Sequence, residues 1–242
     1  MKLAEIVAWL DETLEVGKFD DVSNNSLQIG RVGEKIEKVA FAVDASLNSF
    51  KAAKLSGADL LVVHHGISWG GGIRRITGGI YNVVKAAIDG NIALYACHLP
   101  LDAHEKYGNN RLLAEALGLE RLEKAFSYHG NVIGFIGELH DGEKAAGMLG
   151  ADALCGVELP CRVGVCSGGA GEFAETAQKA GCRLYVTGEA SWGDVIAAEN
   201  CGMRMIALGH YETETYGVKA LAGYVEAALG VETVFLDRQK VL

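Results

Sequence analysis

One order of elements occurs twice in this chain: strand, helix, strand, motif, helix, strand, histidine. The first copy starts with the strand Lys38–Val43 and a helix that Ser46 caps and Gly57 ends. It continues through Leu60-Leu61-Val62-Val63-His64-His65-Gly66-Ile67-Ser68-Trp69 and a helix over about 80–89 to the strand Ile92–Cys97 and then His98. The second copy starts with Arg162–Cys166 and a helix over 172–180. It continues through Arg183-Leu184-Tyr185-Val186-Thr187-Gly188-Glu189-Ala190-Ser191-Trp192 to Met203–Leu208 and then His210. Even the Ser-Trp pair returns. A degenerate repeat of this form predicts two related α/β layers.

The centre of the first copy is an apolar run that exits through two histidines into a glycine. Four apolar residues in a row read as a buried strand. Neighbouring strand residues point to opposite faces, so His64 and His65 share one cluster only where the strand ends and the backbone twists. The carboxyl end of a strand is where open α/β sheets hold ligands.

At 242 residues the chain is long enough for two small α/β domains. The pattern places the first over 1–125, completed by 215–242, and the second over 126–214. The net charge of −9 argues against general nucleic-acid binding, which needs a basic face. The six cysteines form no Cys-x-x-Cys pair and read as buried free thiols of a reducing compartment. Acids at Glu5, Asp11 and Glu12 rule out a signal peptide, and no apolar run has the length of a membrane span, so the expected setting is cytoplasmic. Five glycines within Gly70–Gly79 predict a mobile loop, whose Arg74 and Arg75 are solvated or meet an anionic substrate.

Both copies close on His-x-x-x-carboxylate: His98 to Asp102, and His210 to Glu214. On a helix this spacing puts both side chains on one face. With His64 and His65 they make four imidazoles and two carboxylates, more than one tetrahedral metal needs and suited to two metals. The N/O character points to Zn, Mn, Fe, Co or Ni. His104, His129 and His140 lie among charged or turn residues and read as solvated. Glu189 and Ser191 occupy the repeat positions of His65 and Ser68, where they line the same cleft or cap the next helix. Glu212, two residues from Glu214, faces elsewhere.

In order, His64-His65, His98-x-x-x-Asp102 with Gly108-Asn109-Asn110, Thr187-Gly188-Glu189 and Gly209-His210-Tyr211-x-x-Glu214 resemble the Nif-three-like dinuclear-metal family, also called the GTP cyclohydrolase 1 type 2 family. Ser23-Asn24-Asn25-Ser26-Leu27-Gln28-Ile29-Gly30 and Ala42-Val43-Asp44-Ala45-Ser46 support the resemblance, which spans nearly the whole chain. It implies two interlocked, pseudo-repeated α/β domains, a toroidal homohexamer (a trimer of dimers), and two divalent metal ions per chain. The implied ligands are His64, His65, Asp102, His210 and Glu214, with Glu214 as the bridge and His98 as a catalytic proton-transferring residue behind them. The implied activity is metal-dependent hydrolysis by a metal-bridging hydroxide, either ring opening of a GTP-type nucleotide or cleavage of a phosphoester. The alternative is a non-catalytic metal-binding or metal-delivery ring, or a scaffold protein.

Two departures from the family pattern carry expectations. Gly66 stands where the family has proline, which predicts a looser loop after the His pair. Trp192 and Gly193 stand where many relatives place a histidine, which predicts altered substrate handling.

Overall fold

The computed structural model describes residues 1–31 and 33–238. Contacts divide the chain into two compact α/β units, Met1–Leu101 with the segment from Val218 onward, and Asp102–Gly217.

In the first unit, helix α1 (Leu3–Thr13) precedes β1 (Ser26–Ile29), β2 (Lys38–Asp44), α2 (Leu47–Ser56), β3 (Leu60–His65), α3 (Gly78–Gly90) and β4 (Ala93–Ala96). A short helix, α4 (Leu99–Ala103), follows, and the last strand, β10 (Glu232–Phe235), returns to this sheet. The sheet order is β1-β4-β3-β2-β10, with β1 antiparallel and the other four strands parallel. Strands covered on both faces need no alternation of polar and apolar residues. β3 accordingly reads as a continuous apolar run, buried from Leu60 to His64. The α2 boundaries follow the capping chemistry: Ser46 Oγ accepts from Ser49 N at 3.0 Å, and Gly57 closes the helix at φ +75°.

The second unit holds α5 (Asn109–Ala116), β5 (Glu120–Tyr128), β6 (Asn131–Leu139), α6 (Glu143–Leu149) and β7 (Cys161–Cys166). It continues with α7 (Ala174–Lys179), β8 (Cys182–Thr187), α8 (Trp192–Asn200), β9 (Arg204–Ala207) and the start of α9 (His210–Leu229). Its sheet order is β5-β6-β7-β8-β9, with β7, β8 and β9 parallel and β5 and β6 antiparallel. The core packs Leu113, Leu117, Leu139, Val163, Val165, Leu184 and Val186.

The repeat is a parallel β-α-β-α-β core in both units, β2 to β4 and β7 to β9; what flanks it differs. Each core sends its next histidine, His98 or His210, from just past the carboxyl end of its last parallel strand. The sequence pattern missed β5. That strand is an edge, exposed over most of its length, and Glu120-Arg121-Leu122-Glu123-Lys124 carries no apolar alternation to mark it. Residues 102–125, assigned by pattern to the first domain, contribute α5 and β5 to the second unit because β5 pairs along β6. Among the described residues no helix is long and apolar enough to cross a membrane. All six cysteines are free; Cys97, Cys161, Cys166 and Cys182 are buried, as expected for most of them, whereas Cys155 and Cys201 are exposed. Those two follow a short helical turn and α8 rather than lying within strands.

Candidate metal centre

In the first unit the strand end brings three imidazoles together. The rings of His64 and His65 lie 4.6 Å apart and tilted by 48°, which the twist at the end of β3 permits. The His98 ring lies 5.1 Å from His64 and 5.7 Å from His65. One ring nitrogen from each of the three lies within 4.8 Å of the others, a grouping able to hold a metal ion. His64 is fully buried, and its Nδ1 donates to the Cys97 carbonyl at 3.0 Å. His65 Nδ1 is 3.0 Å from Asp44 Oδ1, its partner across the parallel β2–β3 register. His98 Nδ1 is 2.9 Å from Asp21 Oδ1. Burial tends to raise the Asp21 carboxyl, but hydrogen bonding and charge from His98, with Asn25 and the Ser23 amide, outweigh it and bring it down to about 2.

In the second unit the turn after β7 organises the donors. Asp102 Oδ1 accepts from Asn109 Nδ2 at 2.9 Å and from Ser167 Oγ at 3.2 Å. Gly168 follows, with its amide on Thr213 Oγ1 at 3.1 Å and φ at +67°. A Cβ at Gly168 would collide with Glu214 Oε1 and stand 3.4 Å from His210 Nε2, so only glycine leaves room for this pair. The four-residue spacing works as the sequence indicated: His210 Nε2 is 3.1 Å from Glu214 Oε1 on one face of α9. His210 Nδ1 is 2.9 Å from Glu189 Oε2. The Glu214 hydrogen bond is the main cause that lifts His210 to about 9; burial opposes it, and the charges of Glu214 and Glu189 add to it. The fully buried Cys166 thiol is pushed well up, first by burial and then by the charges of Asp102 and Glu214.

In each unit the imidazoles share one feature: Nδ1 is held by an oxygen, the Cys97 carbonyl for His64 and a carboxylate for His65, His98 and His210, which leaves Nε2 as the other ring nitrogen. A carbonyl or carboxylate behind Nδ1 fixes tautomer and ring orientation and raises the basicity of Nε2, the usual setting of a metal-binding histidine. Nitrogen and carboxylate donors with this backing could hold a metal ion. The histidines and acids were legible in the sequence; their backing carboxylates, Asp21 and Asp44, were not. Glu189 was legible as a repeat position and as part of the Thr187-Gly188-Glu189 motif, without a partner; it backs His210, while Ser191 takes the cap, its Oγ accepting from Asp194 N at 3.2 Å.

The loop after the His pair is fastened rather than loose. Gln28 Oε1 accepts from Ile67 N at 2.7 Å and Ser68 N at 3.2 Å, and Gly70 N donates to the Val22 carbonyl at 2.6 Å. A Cβ at residue 66 would collide with the Gln28 amide and come within 2.6 Å of Ala96 Cβ, which accounts for glycine there. Arg74 and Arg75 are exposed on the loop before α3. His129 and His140 are exposed, as expected, but His104 is half-buried: its Nδ1 accepts from the amides of Lys106 and Tyr107, closing a turn. Beside His210, a cavity of about 750 Å³ is lined by Gly169, Gly171, Glu172, Glu189, Asp194 and Gly209, among others. Trp192 opens α8 next to Ser191 and is 77% exposed.

Comparison with known proteins gives a single family. The Duf34/NIF3 (NGG1p interacting factor 3) family model matches residues 1–241. A protein of Archaeoglobus fulgidus named "GTP cyclohydrolase 1 type 2 homolog" is 43% identical over 242 residues, covering 98% of each chain. The solved structure of protein ybgI, described as of unknown function, superposes with a TM-score of 0.87 at 31% identity and 98% coverage of both chains. The crystal structure of TTHA1606 from Thermus thermophilus gives a TM-score of 0.80 at 33% identity, again covering 98% of both.

Proposed function

Because this chain belongs to the Duf34/NIF3 family, we propose that it is a dinuclear metal-dependent hydrolase. In this reading His64, His65, Asp102, His210 and Glu214 hold two divalent ions, and His98 transfers protons. The observation that carries the reading is the shared presentation of the imidazoles, each with Nδ1 held by a carbonyl or carboxylate oxygen. When bound, divalent ions supply water activation near neutral pH and charge stabilisation for a developing oxyanion.

The chain's own residues prepare for that chemistry. Asp44 and Glu189 orient His65 and His210, and Asn109 and Ser167 orient Asp102. Gly168 gives Glu214 its space. The cavity beside His210 offers the substrate an entry, and the relatives' name suggests a nucleotide of the GTP type; a phosphoester suits the same donors. The homohexamer and the cytoplasmic setting belong to this proposal too, and light scattering of the purified chain tests the first.

The decisive experiment measures metal per chain after purification without chelator, beside a His210→Ala/Glu214→Ala variant, followed by turnover on a nucleotide and phosphoester panel. About two metals per chain, lost in the variant, with released product, is the expected result. A folded chain that neither carries nor takes up Zn, Mn or Fe overturns the reading.

A further inference from the structure

We propose that Asp21 is a positioning residue for the reaction: it locks His98 in the Nδ1–H form, so that Nε2 stands toward the His64–His65 cluster as a proton acceptor. This rests on the hydrolytic reading above, but the lock itself can be measured without it.

The contacts around Asp21 permit only one chemical form. Its side chain is 2% exposed and receives four donors. Oδ1 faces His98 Nδ1 at 2.9 Å and Ser23 N at 3.0 Å; Oδ2 faces Leu99 N at 2.9 Å and Asn25 Nδ2 at 2.8 Å. Two backbone amides and the Asn25 amide can only donate in these positions, so both oxygens must accept. An ionised carboxylate does this; an amide at position 21 would set an NH2 group against donors whichever way it turned. Asn25 cannot flip to relieve the conflict, because its Oδ1 accepts from His98 N at 2.8 Å. Between them, Asp21 and Asn25 hold the His98 ring and the backbone amides of His98 and Leu99.

An acceptor-only oxygen at Nδ1 makes that nitrogen carry the ring proton and leaves the lone pair on Nε2. The Trp69 ring stands edge-on to His98 at 5.2 Å, with Trp69 Nε1 donating to the Gly66 carbonyl at 3.0 Å, and walls the imidazole on that side. The proton step balances within the chain. His98 Nε2 takes a proton from the attacking water and becomes imidazolium, the O–H electron pair goes to the new bond, and the same proton returns to the leaving group. Asp21 stabilises the imidazolium and stays ionised, in keeping with a carboxyl lowered to about 2.

The test is tautomer assignment by long-range 1H–15N correlation on the chelated, 15N-labelled full chain at alkaline pH, with His98→Gln identifying its signals. The expected wild-type result is the Nδ1–H form. Asp21→Asn should shift His98 to the Nε2–H form or a mixture, keep its metal content, and lower kcat about 100-fold or more with little change in KM. Asn25→Ala, which leaves the carboxylate in place, should keep the Nδ1–H form. An Nε2–H tautomer in the wild-type chain overturns the proposal outright, so an Asp21→Asn chain that failed to fold would not leave it undecided. A folded Asp21→Asn chain with an unchanged tautomer overturns it as well. A wild-type chain with the expected tautomer but no turnover would sink the hydrolase reading and leave the lock standing.

Discussion

Replacing Gly168 by alanine should cost far more than its single methyl group suggests. Two effects add. At φ +67° an alanine is left-handed, which costs roughly 1–2 kcal/mol. The methyl also collides with Glu214 Oε1. Glu214 is 3% exposed and has little room to swing away. The turn is equally fixed: Gly168 N is on Thr213 Oγ1 at 3.1 Å, and its carbonyl accepts from Glu189 N at 2.8 Å. Overpacking of this kind adds about 1–3 kcal/mol, for a total on the order of 3 kcal/mol or a hundredfold in the folding equilibrium. Gly181→Ala is the control, since Gly181 has φ +81° but nothing within 4 Å of a Cβ, so it carries the backbone cost alone. Urea unfolding of the metal-free variants at one pH measures the difference. Gly168→Ala should lose about 2 kcal/mol more than Gly181→Ala and also bind less metal, because the Glu214 carboxylate is pushed aside. Equal losses in the two variants would refute the steric argument.

The acid limb of stability should carry an Asp21 contribution. Its folded carboxyl lies near 2 against an ordinary 3.8, so about 2 kcal/mol is present above the ordinary value and lost as pH falls through about 2. Urea midpoints of the wild type and Asp21→Asn should therefore converge between pH 5 and pH 2; a constant gap would contradict the linkage. His210, lifted to about 9, is protonated at pH 7 in the metal-free chain, and its contribution to stability is full below 6.5 and fades as pH rises through about 9. Zinc uptake at pH 7 should accordingly release this proton and tighten as pH rises toward 9, with a shallower dependence in Glu189→Gln; titration calorimetry in buffers of different ionisation enthalpy measures it. Gln28→Ala should free the loop after the His pair, speeding hydrogen exchange at Ile67 and Ser68 while the helical amides of α2 stay protected. Unchanged exchange at those two amides would show that Gln28 does not hold the loop.

What the sequence by itself determined is what short-range stereochemistry encodes. The 3.6-residue period sets His210 and Glu214 on one face of α9, Ser46 and Gly57 bound α2, and unbroken apolar runs mark the buried parallel strands. The repeat was legible because it is a succession of such local signals. Only the tertiary structure decided which residue stands behind each imidazole. Asp44 reaches His65 because β2 and β3 are parallel neighbours in register, Asp21 reaches His98 across 77 positions, and Glu189 reaches His210 across 21. β5 stayed hidden because an exposed edge strand needs no apolar period, and Gly66 looked like a loosened loop until Gln28 proved to fill the space a side chain would take. These pairings depend on strand order and chain return, which no local period records, so the donors could be read from the chain but their orientation required the fold.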